Sequence, residues 1–337
     1  MSMKKKIWKG KHGPLLIAEI GGNHEGNFSY AKKLVLKAIK SGVDVVKLQI
    51  YDGQNLVSKI ESKKRFDHFR KFELTKDQHI YLAKLCKKYN VGYSASVWNI
   101  NSISWINKYL QFYKIGSGDL TAYPIIRSIA KTGKPIVLST GMSTLKEIKE
   151  TLNFIVKINS KYSNKKKISV LQCTSLYPTL DKEVNLNVIK NLKKNLKITV
   201  GYSHHNKGSI ALIAAYILGA EILEFHFTDD RKGKVFRDHK ISLNPKETVE
   251  LIQNISKINN ILGSNKKLPT KREISSHHIK TFRRSVYAKK FIQKGKKISE
   301  NDLIVLRPNT GLDSRKFYDL VGKKIKRDTR AFEKIKP

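Results

Sequence analysis

Leu15-Leu16-Ile17-Ala18-Glu19-Ile20 and Val45-Val46-Lys47-Leu48-Gln49-Ile50 flank a stretch of helical period, Tyr30 to Ser41, and this one repeat decides the reading of the chain. Short apolar runs rich in β-branched residues suit strands buried on both faces, and a helix between two of them is the βα unit of a parallel sheet. Six more such runs follow: Val91 to Ser96, Phe112 to Gly116, Ile136 to Thr140, Ile168 to Cys173, Ile198 to Tyr202 and Ile222 to Phe227. Between them lie segments with apolar residues three and four apart, such as Lys76 to Tyr89, Thr144 to Asn159 and Ile210 to Leu218. Eight units predict a closed (β/α)₈ TIM barrel over residues 1–262, whose outer ring is completed by a helix over Pro245 to Leu262. Residues 263–282 read as a polar linker. From 283 to 337 the segments are short, with Lys294-Gly295-Lys296, Pro308 and Gly311 interrupting them, which predicts a small, irregular second domain with a strand within Val286 to Ile292. So small a domain is expected to lean on the barrel or on a partner chain.

The formal charge is +40, which invites a nucleic-acid reading, but the lysines are scattered over the helices, as at Lys32, Lys33, Lys37 and Lys40. Lysine, asparagine and isoleucine abound together and are all spelled by AT-rich codons, so compositional bias suffices to explain much of the excess. No specific nucleic-acid partner is expected; weak steering of anionic substrates is. No uncharged stretch approaches the roughly 18 to 20 residues of a membrane span, and the short run at Leu15 to Ile20 contains Glu19, unlike a signal peptide. Two cysteines, Cys86 and Cys173, are too few for a disulfide framework, so a reducing cytoplasm is expected.

Barrel enzymes carry their reacting groups at the C-terminal ends of the strands. Here every expected strand end is polar: Glu19, Asn23 and His24; Lys47 and Gln49; Ser96; Lys114, Ser117 and Asp119; Ser139 and Thr140; Thr174, Ser175 and Tyr177; Ser203, His204 and His205; Glu224 and His226. A charge embedded in an apolar strand is too costly to bury unpaired. Lys47 and Lys114, with the hydroxyls of Ser117, Ser139 and Ser203, would fit a small dianion bearing phosphate and carboxylate, although either lysine can instead pair with a neighbouring glutamate. His205 and His226 could share a divalent metal, with positions left open for water and substrate; a strand histidine can equally be a hydrogen-bonded core residue. His68 and His277 lie away from the strand ends.

Read in order, Ile17-Ala18-Glu19-Ile20-Gly21-Gly22-Asn23-His24-Glu25-Gly26, Val46-Lys47-Leu48-Gln49, Tyr113-Lys114-Ile115-Gly116-Ser117-Gly118, Leu138-Ser139-Thr140-Gly141-Met142, Cys173-Thr174-Ser175-Leu176-Tyr177-Pro178-Thr179 and Glu224-Phe225-His226-Phe227-Thr228 form a consistent series. They resemble the signatures of the sialic acid synthase family, the N-acetylneuraminate and related nonulosonic acid synthases. Arg283-Arg284-Ser285-Val286-Tyr287-Ala288 and Leu306-Arg307-Pro308-Asn309-Thr310-Gly311 resemble that family's antifreeze-like (SAF, β-clip) domain. The resemblance implies a cytoplasmic transferase that condenses phosphoenolpyruvate with N-acetylmannosamine or a modified N-acyl amino sugar. It assigns Lys47, Lys114, Ser117, Ser139 and Ser203 to phosphoenolpyruvate. His205 and His226 fall to a divalent metal (Mn²⁺, Mg²⁺ or Co²⁺), Gln49, Asp119, Tyr177 and Arg307 to the sugar, and Glu19, Glu224 and Asp238 to the reacting centre. It further implies a homodimer with swapped SAF domains, Arg307 completing the site of the opposite barrel. Asp119 stands where the family often has glutamate, His204 where it has aspartate, Ser175 where it has asparagine, and Ser96-Val97-Trp98 replaces a Thr-Pro-Phe type segment. These departures fall mostly on the sugar side, and His204 offers an alternative metal ligand to His205. The competing readings are a legionaminic- or pseudaminic-type synthase with a diamino-sugar acceptor, and a phosphoenolpyruvate-dependent synthase of shorter keto-deoxy sugar acids.

Overall fold

The structure is a computed structural model that describes residues 7–335. Residues 1–6 and 336–337, the outer ends of the two expected domains, lie outside the described residues. The chain divides into two compact units, one ending at Ile261 and the other starting at Leu262.

In the first unit eight parallel strands pair each with the next, and the last closes on the first. They are β1 (Gly13–Glu19), β2 (Val45–Ile50), β3 (Gly92–Val97), β4 (Tyr113–Ile115), β5 (Ile136–Ser139), β6 (Ile168–Cys173), β7 (Thr199–His204) and β8 (Ile222–His226). A short arm, Lys9–Gly10, pairs antiparallel with the start of β1. Nine helices of this unit are α1 (Phe28–Lys40), α2 (Lys63–Phe72), α3 (Lys76–Lys88), α4 (Ser102–Ile106), α5 (Tyr123–Lys131), α6 (Leu145–Ile158), α7 (Val188–Leu196), α8 (Ile210–Ile217) and α9 (Pro245–Leu262). Capping boxes start α3, where Thr75 and Gln78 exchange bonds, and α6, where Thr144 and Glu147 do. The expected strand bounds differ from those observed by a residue or two, as strand ends fray at the barrel rims. α2 has no counterpart in the simple βα repeat.

Side chains alternate across each strand, so one set faces the helices and the other the barrel axis. The outward set, Leu16, Ala18, Val46 and Leu48 among them, packs with the helices into one large cluster. Facing inward is a separate cluster: Leu15, Ile17, Val45, Phe112, Val137, Leu171 and Ile222, closed below by Trp8, which lies edge-on to Phe112 and donates to the Lys166 carbonyl. Two positions further along, at five places around the barrel, the inward residue turns polar: Ile17 gives way to Glu19, Val45 to Lys47, Phe112 to Lys114, Val137 to Ser139 and Ile222 to Glu224. An apolar plug thus floors a charged chamber. At Gly201 the wall tolerates no side chain, because a Cβ there would sit 2.5 Å from both the Ile222 carbonyl oxygen and Leu171 Cδ2.

In the second unit two short helices, Lys271–Ser275 and His278–Phe282, occupy the stretch expected as linker. Thr270 and Glu273 cap the first reciprocally. An antiparallel pair, β9 (Ser285–Ala288) and β10 (Leu303–Leu306), carries a small core of Val286, Ala288, Ile292, Ile298, Leu303, Leu320, Ile325 and Ile335. The expected strand within Val286 to Ile292 is confined to its first residues, and Ile292 makes an isolated bridge to Thr329. Asp302 is fully buried between Lys296 Nζ at 2.8 Å and Lys290 Nζ at 3.3 Å, and it accepts from the Ser299 amide and hydroxyl.

Candidate active site

The open end of the barrel holds a cavity of about 1350 Å³ lined by residues from all eight strand ends and from α2. Its floor is a row of four buried charges. Lys114 Nζ lies 3.1 Å from Glu224 Oε1, Lys47 Nζ lies 3.9 Å from the same oxygen, and Lys47 Nζ sits 2.5 Å from Glu19 Oε2. The last contact is an ion pair outside hydrogen-bond geometry; the bond Lys47 makes is to Ser96 Oγ at 3.3 Å. Gln49 Nε2 donates to Glu19 Oε1 at 3.2 Å, and Ser203 Oγ donates to Glu224 Oε1 at 3.2 Å. Lys47 and Lys114 are only 3% and 4% exposed.

The two carboxylates differ. Burial, reinforced by the nearby Glu224 charge, pushes Glu19 above the usual carboxylate range although Lys47 opposes it. Burial also opposes ionisation of Glu224, but Lys114 and Lys47 outweigh it and hold this carboxyl below its ordinary value. The Lys47 ammonium loses by burial yet is held above its usual value by Glu19 and Glu224. Glu19 is therefore the carboxylate that takes a proton first, and with it protonated the row carries a net positive charge. The hydroxyl of Ser139, one oxygen each of Glu19 and Glu224, and Nδ1 of His226 are buried with no hydrogen-bond partner among the described residues. The Glu19 oxygen is met by the Lys47 ammonium; each of the others costs about 1–3 kcal/mol until something binds it.

Above this row stand the two histidines, ring centroids 5.5 Å apart. His205 Nδ1 lies 2.9 Å from the Thr174 carbonyl oxygen, which can only accept, so Nδ1 carries a proton and, in the neutral ring, Nε2 offers a lone pair. Burial, with the nearby Lys47 and Arg237 cations added, holds His226 well below the ordinary imidazole pKa, so its ring is neutral. Asp238 Oδ2 is 3.7 Å from His226 Nδ1, and burial raises the Asp238 carboxyl against the pull of Arg237. Among the described residues no group of three or more histidine, cysteine or acidic side chains is placed to hold a metal. The pair itself suits a divalent ion bound by two nitrogens and completed by water or substrate. His204 lines no part of the cavity: fully buried, it faces outward beside the Tyr202 hydroxyl at 3.4 Å, and burial drops its pKa to about 3. Strand alternation thus separates the two adjacent histidines.

Of the remaining expected residues, Tyr177 packs against His205, ring centroids 4.1 Å apart and tilted by 33°. Asp119 and Ser117 line the cavity, and Ser117 Oγ accepts from the Gly141 amide. Burial raises Asp119, opposed by Lys114 and by the Trp98 side chain. Arg307 belongs to the second unit, its guanidinium 5.3 Å above the Phe282 ring. The strand-end pattern misses Arg237, Phe236, Tyr51, Phe69 and Cys173, all in the cavity wall. His68, which lies off the strand ends in the sequence, is in that wall as well.

Comparison with known proteins matches the NeuB family over residues 34–267 and the SAF domain over residues 283–335. The chain belongs to the NeuB family. As a NeuB-family protein it is an enzyme of the nonulosonic acid synthase group. It is similar to the N,N'-diacetyllegionaminic acid synthase of Campylobacter jejuni, 37% identical, with 92% of this chain and 95% of that one aligned. It is also similar to the N-acetylneuraminate-9-phosphate synthase of Homo sapiens, 31% identical, with 94% of this chain and 89% of that one aligned. Among solved structures, the N-acetylneuraminic acid synthetase of Leptospira borgpetersenii superposes with a TM-score of 0.71 at 28% identity, covering 78% of this chain and 90% of that one. Among the described residues no helix of this NeuB-family protein is long and apolar enough to cross a membrane.

Proposed function

We propose that this synthase condenses phosphoenolpyruvate with the open-chain form of an N-acylated amino sugar, yielding a nine-carbon 2-keto sugar acid and phosphate. One observation carries the reading: a buried row of two ammonium groups and two carboxylates, with an unpartnered serine hydroxyl, lies below a pair of lone-pair-bearing histidines. Lys47 and Lys114, with the hydroxyls of Ser117, Ser139 and Ser203, would seat the phosphate and carboxylate of phosphoenolpyruvate. The enol carbon attacks the acceptor aldehyde, water adds at the pyruvyl carbon, and the bridging C–O bond breaks so that phosphate leaves with the bridging oxygen. Glu19, the carboxylate that protonates first, and Glu224 flank the seat and suit proton movement to and from the reacting carbons. Gln49 holds Glu19 in place, and Asp238 stands at the histidine end. A divalent ion bound by His205 and His226 would polarise the aldehyde.

The acceptor is N-acetylmannosamine or a diacylated diamino analogue; the similarity to a diacetyllegionaminic acid synthase supports the second. The SAF match supports the further proposal of a homodimer in which Arg307 serves the opposite barrel. The two buried free cysteines fit a cytoplasmic setting. The test is to incubate the protein with phosphoenolpyruvate, Mn²⁺ and a panel of N-acyl hexosamines and to weigh the products. A condensed acid is expected with at least one sugar; none with any of them overturns the reading.

A further inference from the structure

The cavity mouth holds a cation that neither the strand-end pattern nor the proposed chemistry uses. Arg237 lies in the loop between β8 and α9, 67% exposed, and lines the cavity. Its Nε donates to Asp238 Oδ1 at 3.2 Å, and its guanidinium carbon lies 4.6 Å from the centroid of Tyr177, the ring packed against His205. Carboxylate and ring together fix the guanidinium plane, while its terminal Nη donors make no hydrogen bond among the described residues. A planar fork held this way is preorganised for oxygen atoms.

The same wall carries Arg65 and His68 from α2, and the His68 ring stacks against Phe236 at 5.6 Å. Burial, with the positive charges of Arg237 and Arg65 added, holds His68 below the ordinary imidazole value. The wall is therefore donor-rich and positive. The lysines that would seat phosphoenolpyruvate lie at the buried end of the chamber, whereas Arg237 stands at its exposed side, beyond the histidine pair. On the synthase reading, the part of the acceptor remote from its aldehyde would reach that side.

We propose that Arg237 is a specificity-determining residue whose free Nη donors bind oxygen atoms on a substituent of the acceptor sugar, either an acyl carbonyl or a phosphate ester. The assignment rests on the synthase reading above. The test compares wild type, Arg237→Ala and Arg237→Lys with Mn²⁺, phosphoenolpyruvate and three acceptors. These are N-acetylmannosamine, the same sugar phosphorylated on its primary hydroxyl, and a diacetamido trideoxy hexose. In Arg237→Ala the acceptor KM should rise roughly tenfold or more for an acceptor the wild type uses, the loss expected of one charge-assisted contact. The phosphoenolpyruvate KM and the calorimetric Mn²⁺ affinity should stay within about twofold, a split that a merely structural role beside Tyr177 and Asp238 would not give. Rescue by Arg237→Lys marks the phosphate ester, which a point charge serves; no rescue marks the acyl carbonyl, which needs the fork. An unchanged acceptor KM, or a rise in the phosphoenolpyruvate KM instead, overturns the assignment. A wild type inert towards all three acceptors overturns the synthase reading itself, and this assignment with it.

Discussion

Lys114 can be separated from its structural role by a pair of variants. Its ammonium is the nearest cation to Glu224, at 3.1 Å against 3.9 Å for Lys47, and both side chains are buried. Lys114→Met keeps the length and removes the charge, so Glu224 loses its principal counter-ion, and breaking a buried pair from one side costs about 3–5 kcal/mol. Adding Glu224→Gln removes the stranded charge and should recover most of that stability. Phosphoenolpyruvate binding should follow a different course. The ligand loses a charge-assisted contact worth roughly 1.5–3 kcal/mol, which at about 1.4 kcal/mol per tenfold weakens Kd by roughly 10- to 140-fold. The double variant should be just as weak. Melting temperature and calorimetric titration with phosphoenolpyruvate read the two effects separately. If the double variant regained wild-type affinity, Lys114 would serve only to neutralise Glu224 and the dianion seat would be refuted.

Chelation should abolish turnover, and His205→Ala and His226→Ala should each lose Mn²⁺ affinity; His204→Ala should keep it while melting lower, and the reverse order would place the ligand one residue earlier. Asp302→Asn tests the second unit: Lys296, the Ser299 amide and Lys290 hold the Asp302 carboxyl well below its ordinary value. That stabilisation is present above the unfolded-state pKa near 3.8 and is lost as pH falls towards the folded one, so protection of the Ser285–Ala288 amides in hydrogen exchange should fall in Asp302→Asn near neutrality. Equal protection in both proteins would dismiss the ion cluster as a stabiliser. Arg307→Ala and Lys47→Ala, each nearly inactive, should on mixed refolding recover roughly a quarter of wild-type activity, since about half the dimers are mixed and each has one intact site. Mixed dimers without recovery would refute the swapped arrangement.

The barrel and its charged floor are legible in the sequence for one physical reason. A glutamate or lysine within an apolar β-branched run is costly unless it meets a partner, and strand alternation tells which residues meet. Glu19, Lys47, Lys114 and Glu224 follow from that alone. The same rule, applied to Ser203, His204 and His205, separates the outward histidine once the strand is known to run through His204. What stays hidden is set by loops. Arg237 and Phe236 have no periodicity, and His68 reaches the cavity only because α2 folds across the mouth, which a count of βα repeats does not foresee. The helix at Lys271–Ser275 did carry a signal, the Thr270 and Glu273 capping box, masked by the polar composition around it.

The central claim is a carbon–carbon condensation with C–O cleavage, and one measurement addresses it directly. The protein is incubated with phosphoenolpyruvate, an N-acyl amino sugar and Mn²⁺ in ¹⁸O-enriched water, and the released phosphate is weighed. Phosphate should appear only when the sugar is present and should carry no label, because its bridging oxygen comes from phosphoenolpyruvate and the water oxygen stays with the new acid. Labelled phosphate would mean attack of water at phosphorus, phosphate released without sugar would mean hydrolysis uncoupled from condensation, and either result would contradict the account.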